Sequence, residues 1–245
     1  MKRNYLAFYV LCFLLIVHFT ACNISPNKPG ALNLNVGTVV LTASEKNIFS
    51  EACNQIPITN TIEKEELKNL LTKAAFSNAE EITSVHQELA AYGIFYFSGN
   101  VENGKATNNN ATLHWPAFYY NANSRQWIAI CSGYWNTKDW NSYKDEVGSP
   151  DSFGIRLNSD DGSYSSYVID SYAFIADASL SECVSTQNRS DGDGAKGFTF
   201  TLQDYVGDST NGKIYIGTRW FGMCVYDEHF SEYNCSATSF YEHTY

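Results

Sequence analysis

The residues best suited to recognise a ligand lie in one short polar stretch. Tyr134-Trp135-Asn136-Thr137-Lys138-Asp139-Trp140-Asn141 sets two tryptophans among amides and a carboxylate. An indole covers the apolar C–H face of a sugar while amides and carboxylates take its hydroxyls, so Trp135, Asn136, Asp139 and Trp140 form a candidate glycan-binding set. The polar neighbours predict that Trp135 and Trp140 are more exposed than the other aromatic residues between Trp115 and Tyr143. The competing expectation is that these rings pack a β-core or cover its end. Catalytic patterns are harder to find. The chain contains no G-x-S-x-G, no H-E-x-x-H and no P-loop. Cys131 and His114 form a conceivable thiol–imidazole pair, against the plainer expectation that Cys131 is buried or bridged. Carboxylates are too numerous for any acid pair to stand out, which leaves a glycosidase-type hydrolase as an open alternative.

Cysteine chemistry adds a second set of candidates. Seven cysteines are present, at 12, 22, 53, 131, 183, 224 and 235. Cys224 and Cys235 are the closest pair that a folded domain would keep, and closing that loop would contribute about 3 kcal/mol in the chain-entropy model. His229 between them permits a zinc reading, but no C-x-x-C spacing supports it.

The segment Phe153-Gly154-Ile155-Arg156-Leu157-Asn158-Ser159-Asp160-Asp161-Gly162 resembles the strand and Ser-Asp-Asp-Gly turn of the protective-antigen-type β-sandwich of some adhesins and glycosidases. The resemblance covers about ten residues of the chain and implies that Asp160 and Asp161 are calcium ligands. Calcium is therefore the one cofactor implied. The same four residues at the end also read as an ordinary turn without a ligand.

The N-terminus carries an address. Lys2 and Arg3 precede the apolar run Tyr5 to Val17, and small residues follow, which is the pattern of a secretory signal peptide over 1–21. Phe19-Thr20-Ala21-Cys22 resembles the lipobox of bacterial lipoproteins, with Phe19 where that family usually has Leu. The resemblance implies lipidation of Cys22 and anchoring to the cell envelope. Ordinary cleavage, giving a free secreted protein, is the other reading. Both place the mature chain outside the cytoplasm, where disulfides are permitted. Residues 22–35, rich in Asn, Pro, Ser and Gly, read as a tether.

Charge narrows the partners. The formal net charge is -10, and only 17% of residues are charged. Losing Lys2 and Arg3 leaves 14 basic against 26 acidic residues, or -12. An acidic chain with no basic run argues against nucleic acid and against anionic lipid, so any membrane contact would run through the lipid anchor alone. A glycan or a protein at the cell surface is the expected partner.

The elements that must position these residues follow from periodicity. Val36 to Ala43 reads as a short strand. Ile62, Leu67, Leu70, Leu71, Ala74 and Ala75 make one helical stripe over Thr61–Ala75, with Asn60 as its expected cap. Ile82, Val85 and Leu89 line a second helix that opens with a Ser77–Glu80 capping box and stops at Gly93. From Gly93 onward short apolar runs alternate with turn residues: 94–97, 113–120, 126–132, 153–157 and 164–176. The stretches 198–205 and 213–221 are expected to form a hairpin across 207–212. The reading is α+β: a helical pair near 61–91, then an antiparallel β-sandwich or barrel-like body, all in one domain over 36–245. About 220 mature residues can bury roughly 70% of their unfolded surface, enough for a proper core. Three functions remain open from sequence: an exported binding protein, an exported hydrolase, and a structural envelope component.

Overall fold

A computed structural model describes residues 32–35, 37–101, 111–135, 151–159, 168–176, 180, 182–186, 196–202, 205–208, 213–216 and 219–243. The fold is α+β, with three helices and two antiparallel sheets packed together.

The chain opens with β1 (Leu32–Asn35) and β2 (Val39–Leu41). Three helices follow: α1 (Ala43–Asn54), α2 (Lys64–Phe76) and α3 (Glu81–Ala91). The short strands β3 (Ile94–Phe97), β4 (Asn100–Val101), β5 (Ala111–Leu113) and β6 (Ala117–Asn121) lead to the long β7 (Gln126–Trp135). Then come β8 (Asp151–Ser159), β9 (Val168–Ala176), β10 (Glu182–Thr186) and β11 (Gly197–Leu202). The hairpin strands β12 (Tyr205–Asp208) and β13 (Lys213–Ile216) precede β14 (Arg219–Tyr226), a 3-10 turn (Glu228–Glu232) and β15 (Cys235–His243).

One sheet runs β11-β8-β15-β2-β4, with β1 sharing the free edge of β15 beside β2. The other runs β10-β9-β14-β7-β6-β3, with β5 pairing the far half of β7. Strand alternation sorts the side chains of β7. Trp127, Ala129, Cys131 and Trp135 face the opposite sheet, while Ile128 and Ile130 face the helices. The inter-sheet core is aromatic, with Phe153, Phe198 and Phe200 of one sheet packed with Trp127, Trp220 and Tyr226 of the other. The outer face of the second sheet is covered by α2 and α3, through Leu70, Leu71, Ala74, Val85 and Leu89. Burying each of these leucine and valine side chains stabilises by about 1.5–3 kcal/mol, which holds two helices too short to persist alone.

Several sequence expectations change. The helical pair is a trio, because 43–54 is α1. Its inward positions are Lys46, Ser50 and Cys53, so no apolar stripe announces it. Its N-terminus is fixed by Thr42, whose hydroxyl accepts from the Glu45 amide at 3.2 Å and donates to the Glu45 carboxylate at 2.7 Å. The expected caps at Asn60 and Ser77 are displaced. α2 begins after Glu63 without a side-chain cap. Asn78 accepts from the Glu80 and Glu81 amides ahead of α3. Gly93, at φ +76, ends that segment as expected. The end of the tether is structured, since 32–35 pairs with β15 from Leu32–His243 to Asn35–Phe240. The hairpin forms between the shorter strands β12 and β13, while β11 and β14 join different sheets.

Candidate functional site

The candidate glycan segment is bounded by Trp135, the last residue of β7, and Asp151, the first residue of β8. Both ends are anchored in one buried aromatic cluster. Trp135 is 5% exposed and Asp151 is 1% exposed. The Trp135 ring stands edge-on to Tyr241, with centroids 5.3 Å apart, and 6.0 Å from Trp220. Tyr241 lies over Trp220 at 4.3 Å, and its hydroxyl donates to the Asp151 carboxylate. Trp220 in turn crosses the backbone at Gly133, where a Cβ would meet its Cζ2 at 2.3 Å. Only glycine lets the indole lie this close to β7. A carboxylate this buried needs a donor, and the tyrosine supplies one.

This corrects the expectation of an exposed Trp135. Residues 127, 129, 131, 133 and 135 share the core face of β7, and the alternation outweighs the polar residues that follow in sequence. Trp135 is a root of the segment rather than an open platform. Asn136, Asp139 and Trp140 lie outside the described residues, as do Asp160, Asp161 and Cys22. Ser159, just before the implied calcium ligands, pairs with Cys235 at the end of β8. Among the described residues no group of three or more metal-ligating side chains is present.

The cysteine readings separate. Cys224 pairs with Ala129 and Ser171 in one sheet, whereas Cys235 pairs with Leu41 and Ser159 in the other. Both are buried, and among the described residues no disulfide joins them. His229 stands exposed on the 3-10 turn, 3.3 Å from Asp227, so the three zinc candidates are not brought together.

The thiol–imidazole pair is replaced by a hydroxyl. Cys131 faces the inter-sheet core, where its Sγ donates to the Gly222 carbonyl at 3.6 Å. Burial pushes its thiol well up, the reverse of an activated nucleophile. Ser132 points the other way and lies 2.9 Å from His114 Nδ1. A hydrogen bond to the Ala75 backbone holds the ring from α2. Burial dominates, and the His114 pKa falls to about 4. Ser132 is 3% exposed, which fits a joint between α2 and the sheet better than a nucleophile open to substrate. A second joint lies under α3. His86 stacks on Tyr96 at 4.7 Å and shares a 3.2 Å hydrogen bond with Tyr119. Burial lowers its pKa to about 4 as well, and raises that of Tyr96 to about 12.

Sequence reasoning missed one buried cation. Lys46 of α1 is 0% exposed at the opposite end of the sandwich from Trp135. Its ammonium donates to the Phe230 carbonyl and stands 4.1 Å from the centroid of that ring. The Thr42–Glu45 capping spacing was the available signal, since it places Lys46 in the first turn of a helix.

Comparison with known proteins gives little to add. No protein-family model matches the chain, and no curated protein matches it. A solved structure described as "pH-induced modulation of Streptococcus parasanguinis adhesion by Fap1 fimbriae" aligns at 11% identity with a TM-score of 0.25. The alignment covers 55% of this chain and 57% of that one, and a likeness at this level carries no functional argument. Among the described residues, no helix is long and apolar enough to cross a membrane.

Proposed function

We propose that this chain is an exported surface protein that binds glycan through the segment between Trp135 and Asp151. The observation that carries the reading is the anchoring of both ends of that segment in one buried cluster, with Asp151 tied to Tyr241 and Tyr241 packed on Trp135. Binding residues are commonly carried by loops whose ends a rigid scaffold fixes, because the scaffold lowers the entropy lost on binding. Within the segment, Trp140 supplies a ring for a sugar face, and Asn136 and Asp139 supply hydrogen-bonding groups for its hydroxyls. The basic start, the apolar run and Cys22 support export and a lipid anchor. Asp160 and Asp161 support calcium as an accessory to the same role.

The test is a glycan array probed with the purified mature chain, with and without calcium. The reading expects a defined subset of sugars to bind, and silence in both conditions overturns it. Intact mass of the protein recovered from its native envelope tests the anchor. An acylated start at Cys22 is expected, and an unmodified later start contradicts it.

A further inference from the structure

The interior beneath α1 places an amine beside a thiol, a pairing that glycan binding does not use. Lys46 Nζ lies 3.9 Å from Cys235 Sγ, across 189 residues of sequence. Both groups are held in place. Lys46 belongs to the first turn of α1, which Thr42 caps, and Cys235 opens β15 between Leu41 and Ser159. Both are buried, at 0% and 4% exposure, and the Lys46 ammonium also meets the Phe230 ring and its carbonyl. Burial lowers the lysine pKa from 10.5 to about 8, with Cys235 acting in the opposite direction. A fraction of the amine is therefore neutral and nucleophilic near neutral pH, which an exposed lysine is not.

We propose that Lys46 and Cys235 form an oxidation-dependent modification site, in which an Nζ–Sγ bond staples α1 to β15. The oxidant is hydrogen peroxide. Its O–O bond breaks, one oxygen is transferred to Sγ to give the sulfenic acid, and the other leaves as water. The lone pair of the neutral amine then attacks Sγ. The S–O bond breaks, and the hydroxyl departs with one amine proton as a second water. The thiol and amine together lose two hydrogens, sulfur is oxidised by two electrons, and one peroxide is reduced to two waters. A sulfenic acid can condense in this way with a nitrogen. Burial favours the amine over competing nucleophiles, since bulk water and free thiols have little access. Once the chain is digested and the bond exposed, an added thiol reverses it by attacking Sγ and releasing the amine.

The experiment uses the full mature chain, reduced, exposed to dilute hydrogen peroxide, and digested without reductant. Mass spectrometry is expected to find one peptide pair joining Lys46 to Cys235, two hydrogens lighter than its parts and separated by dithiothreitol. Lys46→Met, which keeps a long apolar stem in the same space, should lose the linked pair completely. Lys46→Arg retains the cation without a nucleophilic amine and should lose it too, and a thermal melt of each variant separates this loss from a folding defect. Recovery of Cys235 from the wild type as sulfinic or sulfonic acid, or bonded to another cysteine, with Lys46 unmodified overturns the proposal. A linked pair carrying an additional oxygen also overturns it, because the bond would then be N–O–S.

Discussion

The two ends of the sandwich solve the same problem with opposite charges. At one end Asp151 is buried, and its carboxylate is met by the hydroxyl of Tyr241, whose ring packs on Trp135 and Trp220. At the other, Lys46 is buried beside Phe230, whose ring packs on Tyr226 and Trp127, and a backbone carbonyl and a ring face meet its ammonium. Rings supply the apolar bulk in both places. The polar partners differ, and with them the sensitivity to change. The anion takes a donor from the Tyr241 side chain, which a single substitution removes. The cation leans on a main-chain carbonyl and a ring quadrupole, with a long stem that packs whether or not it is charged. The anion end is also where the candidate binding segment is rooted, whereas the cation end is closed over by α1 and the 3-10 turn.

The comparison breaks most readily at Trp220. Trp220→Ala removes the ring on which Tyr241 lies and should cost about 3–5 kcal/mol, read as a lower midpoint in urea unfolding. A loss under about 1 kcal/mol would mean that the cluster is not packed as described.

Acid probes a third region and should leave the contrast between the ends intact. His86 and His114 lie between the helices and the sheet, with pKa values near 4 against 6.5 unfolded. The unfolded chain therefore binds more protons between those values, and stability falls as pH drops from 6.5 toward 4. The loss is at most about 3 kcal/mol for each histidine. Thermal melts across that range should show it, and His86→Gln with His114→Gln should flatten it. An unchanged slope in the double variant would assign the acid sensitivity elsewhere.

Tyr241→Phe isolates the donor. It keeps the ring and strips the hydroxyl from Asp151, so a loss of about 1–3 kcal/mol is expected by denaturant titration. Its counterpart is the smallest effect. Lys46→Met replaces a buried charge with an apolar side chain of similar length, and stability at pH 7 should stay within about 1 kcal/mol of wild type or rise. A large loss from Lys46→Met combined with none from Tyr241→Phe would reverse the comparison.

Local pattern reached as far as the elements that pack through it. α2 and α3 were legible because Leu67, Leu70, Leu71, Val85 and Leu89 recur at helical spacing and bury against one sheet. The strands were legible from β-branched and aromatic runs between turns. α1 was not, since the residue it buries deepest is a lysine. Nor was the pairing of β8 with both β11 and β15, because register between strands so distant in sequence leaves no local trace. Trp135 was legible in principle, through alternation from Trp127, but its polar successors pointed the other way. The buried partners of Asp151 and Lys46 come from chain segments 90 and 184 residues away, beyond the reach of any spacing rule.

The most direct test of the binding account is calorimetric titration of the strongest array glycan into the wild type and into Trp140→Ala. The account predicts that the variant keeps its melting temperature while its affinity falls at least about tenfold, the scale of one lost ring contact. Unchanged affinity in Trp140→Ala would contradict it and move the site away from the segment rooted at Trp135 and Asp151.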